Sequence, residues 1–178
     1  MALTKLNARS ATALDATVLT GNLPAISGGS LTGITTGKIG QVLRGLGNTS
    51  TTISTTTYSS TNLSQAITCS ATSSKVLIMG AISASMSGTD TDRGFGLKIR
   101  RGDSTDVFQS QTLYNAYHKS TNSHFIDGDK FPFFYLDSPS STSAITYYIR
   151  CATWNSGSVT FQPDQNQSDI ILMEVLAW

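Results

Sequence analysis

No stretch of helical length in this chain carries apolar residues at a 3.6-residue period. From Gly40 onward, short segments instead alternate apolar and polar residues and are separated by turn residues. That contrast argues for an all-β protein. Strands are predicted over residues 41–44, 51–58, 64–70, 75–84, 94–101, from Val107-Phe108 onward, and over 131–136, 144–153, 158–162 and 169–177. In the fifth of these, Phe95, Leu97 and Ile99 share one face, and Lys98 and Arg100 the other. In the last, Ile170, Leu172 and Glu174 oppose Ile171, Met173, Val175 and Ala177. Nine or ten short strands match the count of an antiparallel sandwich or jelly roll. Composition agrees: Ser and Thr make up more than a quarter of the chain, charged residues only 13%, and Glu is nearly absent.

Residues 1–40 read differently. They hold no aromatic residue, and Leu19-Thr20-Gly21 is echoed by Leu31-Thr32-Gly33. Large aliphatics recur (Leu3, Leu6, Leu19, Leu23, Ile26, Leu31) but too sparsely to close a core. Such a segment cannot offset the entropy of ordering itself. It is either a disordered tail or an extended arm ordered by neighbouring chains, and its aliphatics favour the arm. The expected organisation is an arm over 1–40 and a knob over 41–178.

Residues 76–82 and 170–175 are apolar on both strand faces, although a lone antiparallel sandwich keeps one face wet and polar. A symmetric partner is the economical cover for the second face, so an oligomer is expected. Cys69 and Cys151 both fall in strand-like segments. Buried free thiols are the first reading and a single bridge the alternative.

The chemistry of the common enzymes and binders finds little footing. Net charge is +1, with no basic run beyond Arg100-Arg101, which disfavours nucleic acid. No secretory signal is read at the start, and no apolar run is long enough for membrane insertion. His118 and His124 lack zinc or triad spacing, so no metal, cofactor or catalytic residue is expected. Residues 33–39 fall one residue short of a phosphate loop and lack its hydroxyl. Asp127-Gly128-Asp129 reads as a turn before the Phe131 strand, and Arg101-Gly102-Asp103 as a tight turn. Asp127, Asp129 and Asp137 could form the carboxylate pair of a glycan-cleaving enzyme, but the small size of the chain and scarcity of Glu count against it. The longest segment without a clear strand, 113–130, is polar and aromatic and reads as a contact loop. Tyr114, Tyr117, His118 and His124 there, with Trp154 and Asn155 at another turn, suit contact with host surface polysaccharide. Packing between copies is the competing explanation.

With these residues in view, the chain resembles the short tail-fibre-like and virion-fibre proteins of bacteriophages, particularly of marine and cyanobacterial phages. The likeness rests on residues 1–7 (MALTKLN), 19–33, 37–43 (GKIGQVL), 74–78 (SKVLI), 136–139 (LDSP) with 146–148 (TYY), and 170–175 (IILMEV). It implies a homotrimeric jelly-roll knob, similar in kind to tumour-necrosis-factor-like heads, whose N-terminal arm docks to other virion proteins. The roles it implies are host adsorption through the head or, alternatively, decoration or cementing of capsid or tail through the arm, in either case located in the virion. The chain lacks a recognisable tail-anchoring domain of that group.

Overall fold

The computed structural model describes residues 39–88, 92–110, 115–119, 124–155 and 157–176. The arm readings, including Leu3, Leu6, Leu19, Leu23, Ile26 and Leu31, lie outside them. Eleven strands follow in order: β1 (Ile39–Gly47), β2 (Thr51–Ile53), β3 (Ser59–Thr68), β4 (Lys75–Gly88), β5 (Arg93–Arg101), β6 (Thr105–Gln109), β7 (Ala116–His118), β8 (His124–Asp137), β9 (Ala144–Thr153), β10 (Val159–Phe161) and β11 (Ser168–Val175). One 3₁₀ turn, Pro163–Gln165, separates the last two.

The strands form two antiparallel sheets. In one, β1, β11, β4 and β8 lie side by side, with β10 continuing alongside β4 and β2 alongside β10. In the other the order is β3, β9, β5, β6, with β7 pairing the start of β5. If β1/β2, β6/β7 and β10/β11 are each taken as one interrupted strand, eight positions remain. Their orders are 1-8-3-6 and 2-7-4-5, the double Greek key of a jelly roll. The protein is therefore an all-β jelly-roll sandwich.

Alternation builds the core. Val76, Ile78 and Ile82 of β4, Ile170 and Leu172 of β11 and Phe133 of β8 point inward. They meet Leu63, Ile67, Phe95, Leu97, Ile99 and Ile149 of the facing sheet. Phe95 sits edge-on to Phe131 at 4.9 Å and to Phe161 at 5.3 Å, an arrangement that suits aromatic quadrupoles. Gly45 permits the sheets to close beside β1, since a Cβ there would lie 2.6 Å from the Ser64 carbonyl oxygen.

Two buried polar clusters lock the connections. Glu174, the chain's only glutamate, is 1% exposed. Its Oε1 accepts from the Ser70 N–H (2.6 Å), the Ser70 hydroxyl (2.6 Å) and the Ser74 hydroxyl (2.8 Å), and Oε2 from the Gln41 amide (2.8 Å). One carboxylate thus ties β1 and the β3–β4 turn to β11. In the second cluster, Asp137 of β8 accepts from the Tyr147 hydroxyl (2.6 Å) on β9 and pairs with Arg101 (2.9 Å) on β5, joining the two sheets. Burial, then the neighbouring Asp137, pushes the Tyr147 phenol well up.

Several sequence readings are corrected. Of the strand expected over 51–58, only Thr51–Ile53 pairs. The chain then bends, because the Thr55 carbonyl is taken by the Thr153 N–H (2.9 Å) and hydroxyl (3.1 Å) on β9. The contact loop expected over 113–130 is largely strand, occupied by β7 and the first half of β8. Its polar residues belong to edge segments, where a strand tolerates them. Asp127-Gly128-Asp129 is not a turn before a strand but lies at a register shift within β8, with Gly128 at φ +71°. There the Gly128 N–H donates to the Ser85 hydroxyl (2.8 Å) and its carbonyl accepts from Asn166 (3.0 Å).

Cys69 and Cys151 are both buried and both free, which decides the question that the sequence left open. Burial raises both thiols, and Glu174 then Asp137 raise Cys69 further. A reductant is expected to leave the melting temperature unchanged, and both thiols to react with a maleimide only after denaturant is added. A melting temperature lowered by reductant would contradict the free-thiol state.

Candidate functional site

The most distinctive surface is the outer face of the β4 sheet. Strand pairing sets its residues in rows. Val42, Met173, Leu77 and Leu136 form one, and Arg44, Ile171, Met79 and Phe134 the next. Leu46, Asp169, Ala81 and Pro132 form a third. Nine of these twelve are apolar apart from proline, and the only charges, Arg44 and Asp169, form an ion pair with each other. Phe134 is 76% exposed, Val42 54%, Leu46 51% and Leu136 48%. With strands about 4.8 Å apart and residues about 3.3 Å apart along them, the rows cover a flat footprint of roughly 300 Å². Contiguous apolar patches of a few hundred Å² are often functional.

The sequence indicated part of this face through the two-sided apolarity of 76–82 and 170–175. It missed Val42 and Leu46 on β1 and Phe134 and Leu136 on β8. The run Phe131-Pro132-Phe133-Phe134-Tyr135-Leu136 has no polar position at all, and that was the available signal.

The aromatic loop residues partly converge. Tyr117 and His118 lie on β7, which pairs with Arg93 and Gly94 at the start of β5. Trp154 follows β9, and its backbone N–H donates to the Gly94 carbonyl (2.8 Å). The Tyr117 and Trp154 rings therefore meet edge to face at 6.4 Å, and the Tyr117 hydroxyl donates to Asp92 (2.8 Å). Asn155 is next in the chain, exposed, in the left-handed region that asparagine tolerates. Tyr114 lies outside the described residues. His124 pairs by its backbone with Gly88, and its side chain is likewise outside them.

The remaining motif residues are occupied structurally. Arg101 is held by Asp137, and Gly102, at φ +59°, turns the chain into β6, so the Arg-Gly-Asp tripeptide is a hairpin turn. Asp137 lies eight residues along β8 from Asp129, roughly 26 Å in an extended strand. That is far beyond the roughly 5–9 Å of a glycosidase pair. Among the described residues, no group of three or more His, Cys, Asp or Glu is placed to hold a metal ion, and no helix is long and apolar enough to cross a membrane.

No protein family matches the chain. No curated protein matches it either. Among solved structures it is similar to the VP2 subviral particle of infectious bursal disease virus, at 13% identity and a TM-score of 0.41. The likeness covers 77% of this chain and 37% of that one, so the chain spans about a third of the neighbour's length. At this level of similarity the comparison carries no functional argument.

Proposed function

We propose that this protein is a non-enzymatic structural subunit of a phage particle, a homotrimeric knob that contributes to host adsorption. The observation that carries the reading is the apolar outer face of the β4 sheet. A second copy of the chain is its occupant. The rows carry no charge beyond the Arg44–Asp169 ion pair, and single lysines, Lys75 and Lys130, stand only at their borders, so the occupant is held by apolar burial rather than by charge pairing. The chain's low charge suits a surface partly covered by copies of itself. Trimeric rather than dimeric closure, and the virion location, follow the resemblance to phage fibre proteins. The loop corner of Tyr117 and Trp154 lies on the other sheet and stays available for host contact when the β4 sheet is covered.

Sedimentation equilibrium of the purified chain at micromolar concentration is expected to return the mass of three chains, and antibody against the knob to label particles at tail-borne fibres. A monomer with its apolar face open to water would refute the assembly reading. Label spread over the head would replace adsorption by a decoration role, and absence of label would refute the virion assignment.

A further inference from the structure

The outer face of the β9 sheet has the opposite character. Pairing sets Ser60, Arg150, Lys98 and Gln109 in one row and Ser64, Tyr148, Arg100 and Asp106 in the next. Asp106 is shared by Lys98 (2.7 Å) and by Nε of Arg100 (2.7 Å). The hydrogen bond from Arg100, outweighing burial, holds its carboxyl below the usual range. Lys98 is also covered by the Tyr58 ring, 4.4 Å from its ammonium to the centroid, so it is buried and spent. The two arginines are not. Arg100 uses Nε on Asp106, which leaves its outer nitrogens. Arg150 gives Nε and Nη2 to the Tyr58 carbonyl (3.2 and 2.7 Å), and among the described residues no carboxylate forms an ion pair with it. Both guanidiniums are thus braced along one edge by the fold.

Arg100 and Arg150 line a cleft of about 230 Å³ with Ser60, Gly102, Asp103 and Tyr148. A second cleft of about 460 Å³ shares Gly102, Asp103 and Tyr148 and runs on past Pro139 and Thr146. Together they form a trough across the end of the sheet, with Arg100 and Arg150 at one end and Arg101, held by Asp137, lining the other.

We propose that this trough binds an acidic polysaccharide, with Arg100 and Arg150 taking the carboxylate of a uronate-type sugar and Tyr148 contacting its ring. The inference rests on the adsorption reading above and names the ligand class for it. Three chemical features select this ligand. Braced guanidiniums match the planar fork of a carboxylate. Asp103 accepts from sugar hydroxyls, which a bare anion does not offer. Lys98, Arg100, Arg101 and Arg150 stand against Asp103, Asp106 and Asp137, an excess of one positive charge, which suits a monoanion better than a dianion. The two clefts, about 230 and 460 Å³, offer more space than a single small anion fills. The trough lies on the sheet opposite the assembly face, so both are usable at once.

The test is calorimetric titration of the full-length protein with oligogalacturonate, with its methyl ester and with inorganic sulfate, oligomeric mass being measured on the same sample. The acid is expected to bind, and the ester and sulfate to bind about tenfold more weakly or not at all, as loss of a charge-assisted hydrogen-bond pair implies. Arg150→Gln and Arg100→Gln are each expected to weaken the acid about tenfold while leaving mass and far-UV dichroism unchanged. The comparison of acid with ester uses the wild-type chain, so it stands even where a variant folds poorly. Equal binding of acid and ester, equal binding of sulfate, or indifference to both arginine variants overturns the proposal. A three-chain assembly that binds no oligogalacturonate overturns the trough alone and leaves the assembly reading in place. Host-cell binding lost with Trp154→Ala but kept with Arg150→Gln would place the ligand at the aromatic corner instead.

Discussion

Phe134→Asp is expected to yield a folded chain that sediments as a monomer. In the isolated chain the Phe134 ring is 76% exposed, on the outward side of β8 beside its cross-strand neighbour Met79. Replacing so exposed a side chain changes the stability of the fold by about 0.5 kcal/mol or less. In the proposed assembly the same position is covered, at the β8 end of the middle apolar row. Losing a buried aromatic anchor there costs about 2–4 kcal/mol. Burying a carboxylate among Met79, Ile171 and Leu136 adds several more, unless the group is protonated. Each subunit carries the change, so the cost recurs at every interface, and each ~1.4 kcal/mol is tenfold in association. Sedimentation velocity at micromolar concentration is expected to move wholly to the one-chain position, with far-UV dichroism unchanged. Phe134→Leu, which keeps the contact apolar, is expected to retain most of the assembly. A Phe134→Asp chain that still sediments as the oligomer would show that the copies meet through another surface.

The second large effect concerns folding. Glu174→Ala is expected to cost about 3 kcal/mol or more, since it strands the buried Ser74 hydroxyl and the Ser70 N–H without their shared acceptor. The pH dependence has the same origin. Burial alone would raise the Glu174 carboxyl, but hydrogen bonds from the Ser70 hydroxyl, Gln41, the Ser70 backbone and Ser74 outweigh it. They hold the group at about 2 against an ordinary value of 4.5. A carboxyl depressed in the folded state contributes stability that is complete above its unfolded value and lost as pH falls towards the folded one. The window is therefore from about pH 4.5 down to about pH 2. At ~1.4 kcal/mol per tenfold change in proton affinity, the contribution is about 3 kcal/mol. Urea midpoints taken between pH 7 and pH 2.5 are expected to fall for the wild type and to fall much less for Glu174→Gln, which cannot ionise. Parallel pH profiles for the two would remove Glu174 from the acid sensitivity of the fold.

The sequence was most legible where one strand face is apolar and the other polar. The fifth strand was read with the correct residues inward, since Phe95, Leu97 and Ile99 alternate cleanly with Lys98 and Arg100. The last strand was also divided correctly, and its glutamate fell on the inward side. That placement carried a message that the sequence reading did not draw: a lone glutamate in register with Ile170 and Leu172 must be met by buried donors. Reading failed around 113–130, because edge strands such as β7 and the first half of β8 need only one paired side and carry the polar residues of a loop. It failed again at Asp127-Gly128-Asp129, where a register shift inside a strand uses the same glycine as a turn. Of the site residues, Tyr117 and Trp154 were chosen as aromatics in loops, and the fold brings them together through β5.

Local pattern decided the fold class and the inward residues of most strands, because alternation depends only on neighbours in the chain. It also located the two-sided apolarity of β4 and β11. Tertiary structure alone decided which strands lie side by side, and hence that Val42, Met173, Leu77 and Leu136 share a row, as do Arg150 and Lys98. Four outward residues become one surface only when four strands, distant in sequence, are placed in register. Periodicity along a chain specifies the face of a residue but not its cross-strand neighbour, and the neighbours turn single side chains into a face or a cleft.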